Sequence, residues 1–208
     1  LMDVAQIKGA IFIPGDGQVN PVDTTLALAK GARAHGVRIV EEVPVTAVHR
    51  KNGRVTGVAT DQGDIACEYV VNCAGIWARE IGLMAGVNVP LASMEHQYLI
   101  TEPIPGLPKD LPTMRDPDRR TYYKEEVGGL VMGGYEKNGI PWAKNGIPDQ
   151  FDFQLLDSNF GHFEHLIELS LPRVPALETV GIKQLINGPE SFTPDGNFIL
   201  GEAPEMAN

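Results

Sequence analysis

Hydrophobic and polar positions change period along this chain, and the changes mark out its elements. Residues 8–14 alternate and read as a strand. From Asp23 the pattern is helical: Leu26, Ala27, Ala29 and Ala34 supply apolar surface, Asp23 or Thr24 can cap the first amides, and Gly36 ends the helix. Residues 37–40 read as a strand, so helix and strand follow each other as in a parallel sheet wound with helices. Asn52-Gly53 joins two alternating runs, 46–50 and 54–60, which is a strong hairpin signal, and a second turn at Gln62-Gly63 leads into a third strand. The apolar run 69–73 has the texture of a buried parallel strand, and 77–85 that of a helix.

After Pro90 the texture shifts to alternating strands with proline-rich joints, at 93–101, 121–124 and 130–134. Residues 152–170 then read as one helix whose buried side is Phe153, Leu155, Leu156, Phe160, Phe163, Leu166, Ile167 and Leu169, stopped by Pro172. The expected fold class is mixed α/β: part of a Rossmann-like domain together with an antiparallel-sheet domain. The expected boundaries are 1–20 as a strand of the second domain, 21–89 as the first, 90–188 as the second, and 189–208 as a return to the first.

The 208 residues with 43% hydrophobic content can build a sizeable core. A formal charge of −10 argues against nucleic acid or an anionic membrane as partner, since both need a basic face. No apolar run is long enough to span a bilayer. Cys67 and Cys73 have neither redox nor zinc spacing, which points to free thiols. His162, His165 and Glu168 share a helical face, but without the HExxH order they read as a solvated face, and no metal site is expected.

Two places carry candidate chemistry. At the end of the 69–73 run, Ala74 and Gly75 have little side chain to hold a ligand off the backbone, and the helix that follows has unpaired first amides. That arrangement suits phosphate or pyrophosphate, and equally a plain strand-to-helix turn that needs a glycine. The second place is the run Met94 to Leu99, where alternation sets Met94, His96 and Tyr98 on one face. Read by itself, His96 is a partly buried histidine whose ring is satisfied by a neighbour.

Several runs, in this order, carry a resemblance: residues 9–17 with Asn20-Pro21, then 37–40, 43–48 and 69–77, Glu95-His96-Gln97-Tyr98, Thr121-Tyr122-Tyr123 and 191–196. The set resembles the flavoprotein superfamily of D-amino acid oxidase, and within it the dimethylglycine and sarcosine dehydrogenases and oxidases. The resemblance implies FAD as cofactor, a small N-methyl amino acid as substrate, and oxidative demethylation by hydride transfer to the flavin. It places His96 and Tyr122 at the chemistry, with Tyr123 as the alternative to Tyr122. The cofactor-binding positions it implies are Val45 near the adenine (equally an ordinary core valine), Ala74, Gly75 and Trp77, and the turn Thr193, Pro194, Asp195, Gly196.

Gly15-Asp16-Gly17 supplies the first two glycines of a dinucleotide fingerprint, but Asn20 stands where the third belongs, so it reads as a turn. The chain is therefore expected to be an internal fragment, inactive and without FAD by itself, whose partners are the remaining parts of the same chain. Many relatives carry a further folate-using domain. The implied compartment is the cytoplasm of a bacterium or the mitochondrial matrix. The alternatives are another superfamily member, such as a glycine oxidase or a glycerol-3-phosphate dehydrogenase, or a subunit that kept the flavoprotein fold without its chemistry.

Overall fold

The computed structural model describes residues 1–208. They form two units, one of Leu1–Val19, Glu95–Ile140 and Asp152–Pro189, the other of Asn20–Met94, Pro141–Phe151 and Glu190–Asn208.

The first unit is built on a five-stranded sheet. Its strands are β4 (Ala92–Thr101), β5 (Met114–Asp116), β6 (Thr121–Glu126), β7 (Gly129–Gly134) and β8 (Ile182–Phe192), in the order β5-β6-β7-β4-β8. Helix α3 (Phe160–Ser170) packs on one face. Leu99, Tyr123, Leu130, Met132 and Leu185 from the strands meet Phe163, Leu166 and Val174 in one buried cluster, where each large apolar side chain contributes about 2 kcal/mol. At its edge Arg173 and Asp116 form a buried ion pair at 2.8 Å. The Arg173 guanidinium also donates to the Asp3 carbonyl, which ties down the start of the chain.

Helix α3 is shorter than the periodicity predicts. Residues 152–159 lie outside it, with Phe153 and Leu155 exposed instead of buried, and Leu156 bridges to Asn187. The start is set by Asn159, whose side chain accepts from the His162 amide, while fully buried Gln97 holds the Asn159 backbone at both its amide and its carbonyl. A cap fixed by a partner 62 residues away has no local signature.

The second unit contains helix α1 (Pro21–Ala34), the antiparallel sheet β1 (Val45–Lys51), β2 (Arg54–Thr60) and β3 (Gly63–Ala66), and helix α2 (Ala78–Ala85), which packs on β1. The hairpin stands where Asn52-Gly53 predicts it. Helix α1 starts one turn earlier than expected: the Asn20 side chain accepts from the amides of Val22 and Asp23, and Pro21 takes the first helical position, where no donor is needed. Gly36 follows it at φ +86, as a helix-ending glycine should. Arg50 donates to the Ala85 carbonyl at the end of α2.

Three expected strands, 8–14, 37–40 and 69–73, are not strands here, and neither is the apolar run 198–201. Their apolar residues stand in the open, with Ile11 at 93% and Val71 at 82% exposure. A strand exists only through pairing, and parallel neighbours come from segments far away in sequence, so apolar texture without a ladder leaves extended chain. Both cysteines are free, and no helix is long and apolar enough to cross a membrane.

Candidate active site

Strand register in the first unit lines up Arg115, Tyr122, Gly133 and Tyr98 as one row across four strands. Cross-strand partners share a face, so this row and its next-but-one neighbours His96 and Tyr135 belong to the face opposite α3. Tyr135 joins them: its ring lies 5.2 Å from His96 and 6.5 Å from Tyr122, and the Arg115 guanidinium sits 5.1 Å over it. Tyr123 points the other way, into the core, where its hydroxyl meets Thr121 Oγ1 at 3.0 Å. Gly133 makes room for Tyr122, because a Cβ there would overlap the tyrosine hydroxyl and ring.

His96 also meets a carboxylate. Its Nδ1 lies 3.7 Å from Glu136 Oε2, with the two side chains only 13% and 8% exposed. Burial pushes the Glu136 carboxyl up, but the facing His96 ring, its own backbone amide and the His162 charge outweigh burial and leave it below its ordinary value. His162 is thus not on a solvated face, since its Nε2 is buried without a hydrogen-bond partner. His165 is exposed and pairs with Glu168 at 3.8 Å.

Neither Tyr135 nor Glu136 was singled out in the sequence. The signal available was Gly133-Gly134 closing a strand just before an aromatic and an acid.

The residues expected at a cofactor lie in the second unit. Gly75 adopts φ +56 and opens a single 3-10 turn, Gly75–Trp77, ahead of α2. Asn72 holds this bend by donating to the Ala78 carbonyl and accepting from the Ala74 amide, at 2.8 and 3.3 Å. Nothing lies within 4 Å of where a Cβ on Gly75 would be, and Trp77 is partly exposed beside it. Val45 begins β1 opposite Thr60 and is half-buried.

Thr193, Pro194, Asp195 and Gly196 form an exposed turn in which Thr193 Oγ1 donates to the Asn197 carbonyl and the Asn197 amide donates to Asp195. That amide, followed by the Asn197 and Thr193 side chains, holds the Asp195 carboxyl below its ordinary value. The open side of Gly75 fits a flat or extended group laid against backbone. None of these residues is basic, so they offer approach and amide donors, not charge neutralisation.

Residues 2–208 match the family described as FAD dependent oxidoreductase. Human mitochondrial sarcosine dehydrogenase is 43% identical over 99% of this chain and 23% of its own length. The mouse mitochondrial pyruvate dehydrogenase phosphatase regulatory subunit is 44% identical over 98% and 24%. Rat mitochondrial dimethylglycine dehydrogenase is 35% identical over 94% and 24%. The chain therefore spans about a quarter of the length of these relatives. Among solved structures, L-proline dehydrogenase from P. horikoshii superposes with a TM-score of 0.76 at 26% identity, over 93% of this chain and 49% of that one.

Proposed function

Because the chain belongs to the FAD-dependent oxidoreductase family, we propose that the protein containing it oxidatively demethylates an N-methyl amino acid, dimethylglycine or sarcosine, with His96 and Tyr122 at the reacting centre. The observation that carries this is the single sheet face on which His96, Tyr122, Tyr135 and Arg115 assemble, away from the packed core.

Such a substrate arrives as an ammonium and must lose its proton before the carbon–hydrogen bond beside nitrogen can break. His96 accepts that proton. Tyr122 donates a hydrogen bond to the substrate carboxylate or amine, and Arg115 supplies positive charge on the same face for the carboxylate. The flavin, held at Val45, Ala74, Gly75, Trp77 and the Thr193 to Gly196 turn, would accept the hydride. A folate-using domain elsewhere in the protein and a mitochondrial or bacterial cytoplasmic setting belong to the same proposal.

A second reading rests on the regulatory subunit, which at 44% identity is as similar to this chain as sarcosine dehydrogenase is. Under that reading the fold serves assembly and the face is silent. Anaerobic mixing of the flavin-loaded whole protein with dimethylglycine, sarcosine, glycine and glycerol 3-phosphate separates the readings. Bleaching of the flavin by the N-methyl amino acids supports demethylation. Bleaching by glycine or glycerol 3-phosphate alone moves the protein to another branch of the family, and none at all leaves the regulatory reading.

A further inference from the structure

A buried carboxylate needs a cationic or donor partner, and Glu136 has its partner on one side only. Its Oε2 faces His96 Nδ1, while Oε1 is buried with no hydrogen-bond partner. Around the pair stand Tyr135 at 5.2 Å from the His96 ring, Tyr122 beyond it, Arg115 over Tyr135, and His162 from α3, whose charge acts on Glu136. In a neutral imidazole one nitrogen donates and the other accepts, and the tautomer is set by what the donor nitrogen meets.

We propose that Glu136 is the positioning residue for His96: its carboxylate fixes the ring with Nδ1–H directed at Oε2, so that Nε2 is the nitrogen that takes up a proton. The inference rests on the role proposed above for His96. In the step it serves, the substrate N–H bond breaks, its electron pair stays on the amine nitrogen, and the proton bonds to His96 Nε2. The imidazolium so formed faces an anion buried to a similar depth, so the charge is balanced without water.

The test is Glu136→Gln in the flavin-loaded whole protein labelled at the histidine ring nitrogens. In the parent, the His96 nitrogen signals should show a neutral ring protonated at Nδ1. In Glu136→Gln they should move to a tautomer mixture, the acidic limb of the flavin-reduction rate should shift to lower pH, and the plateau rate should fall about ten- to a hundredfold. His162→Gln should leave the His96 signals in place. If Glu136→Gln does not fold, Glu136→Asp withdraws the carboxylate by one methylene and is read in the same way. Parent-like His96 signals and pH profile in a variant that has only lost thermal stability would overturn the inference. A His96→Ala protein that still reduces flavin at the parent rate would instead sink the role of His96, while the nitrogen signals would still report whether Glu136 sets the tautomer.

Discussion

Tyr122 and Tyr123 are consecutive residues of one strand and have opposite fates: Tyr123 is 2% exposed in the core with its hydroxyl on Thr121, and Tyr122 shares the other face with His96 and Tyr135. Removing each hydroxyl should therefore separate stability from chemistry. Tyr123→Phe leaves the buried Thr121 hydroxyl without its partner and should cost about 1–2 kcal/mol in denaturant unfolding, with flavin reduction unchanged. Tyr122→Phe should reduce its flavin at least about tenfold more slowly. The reverse pattern would exchange their roles.

His96→Ala, in the flavin-loaded whole protein, should slow flavin reduction by dimethylglycine or sarcosine about a hundredfold or more, the range of a positioned base. Stopped-flow measurement under nitrogen at several pH values is the check.

Gly75 combines a left-handed backbone with open space, so strain and bulk can be told apart there. Gly75→Ala and Gly75→Val should both lose about 1–2 kcal/mol from the backbone conformation alone. Only if the open side receives the cofactor should Val retain clearly less flavin than Ala. Flavin-to-protein ratios after purification decide this, and equal ratios would remove Gly75 from the cofactor site.

The Asp116–Arg173 pair makes a pH prediction. Burial pushes the Asp116 carboxyl up, but the hydrogen bond from Arg173, the Arg119 amide and both guanidinium charges outweigh it and hold the group below its ordinary value. A depressed folded-state pKa means that the stabilisation is fully present above the unfolded-state value and disappears as pH falls through the folded-state value. Unfolding midpoints between pH 5 and pH 2 should show that acid-side loss. Arg173→Met should cost up to about 3–5 kcal/mol near neutral pH and flatten this part of the slope, because the buried carboxylate is then left with Arg119 alone.

The 208-residue chain on its own, incubated with excess FAD and desalted, should be colourless and prone to associate. Its apolar segments at 37–40, 69–73 and 198–201 lie open and without ladder partners, a configuration that invites edge pairing. A flavin absorbance band near stoichiometric yield would show that the turns at Gly75 and Thr193 suffice.

What the sequence revealed is what its neighbours decide. The Asn52-Gly53 hairpin, the strand of Tyr122 that turns straight back into 129–134, and the glycine ending α1 depend on contacts a few residues away, and they were legible. The start of α3 was not, because Gln97 pins Asn159 from another strand. The three unformed strands misled because an apolar run records that a segment is to be covered and not by what. Tyr135 and Glu136 escaped notice for a related reason: their place beside His96 comes from the pairing of β4 with β7, which sets residues more than thirty positions apart side by side.

Gly133 gives the sheet face an evolutionary weak point. It is the single position in the row that carries no side chain, and the Tyr122 ring occupies the vacated volume. Any substitution there must tip that ring away, while the backbone ladder of β6 and β7 and the core on the far face can persist. On the role proposed for Tyr122, one codon would stand between a working and a silent version of the same scaffold, and a lineage could then drift from catalysis into a purely architectural role without passing through an unfolded intermediate.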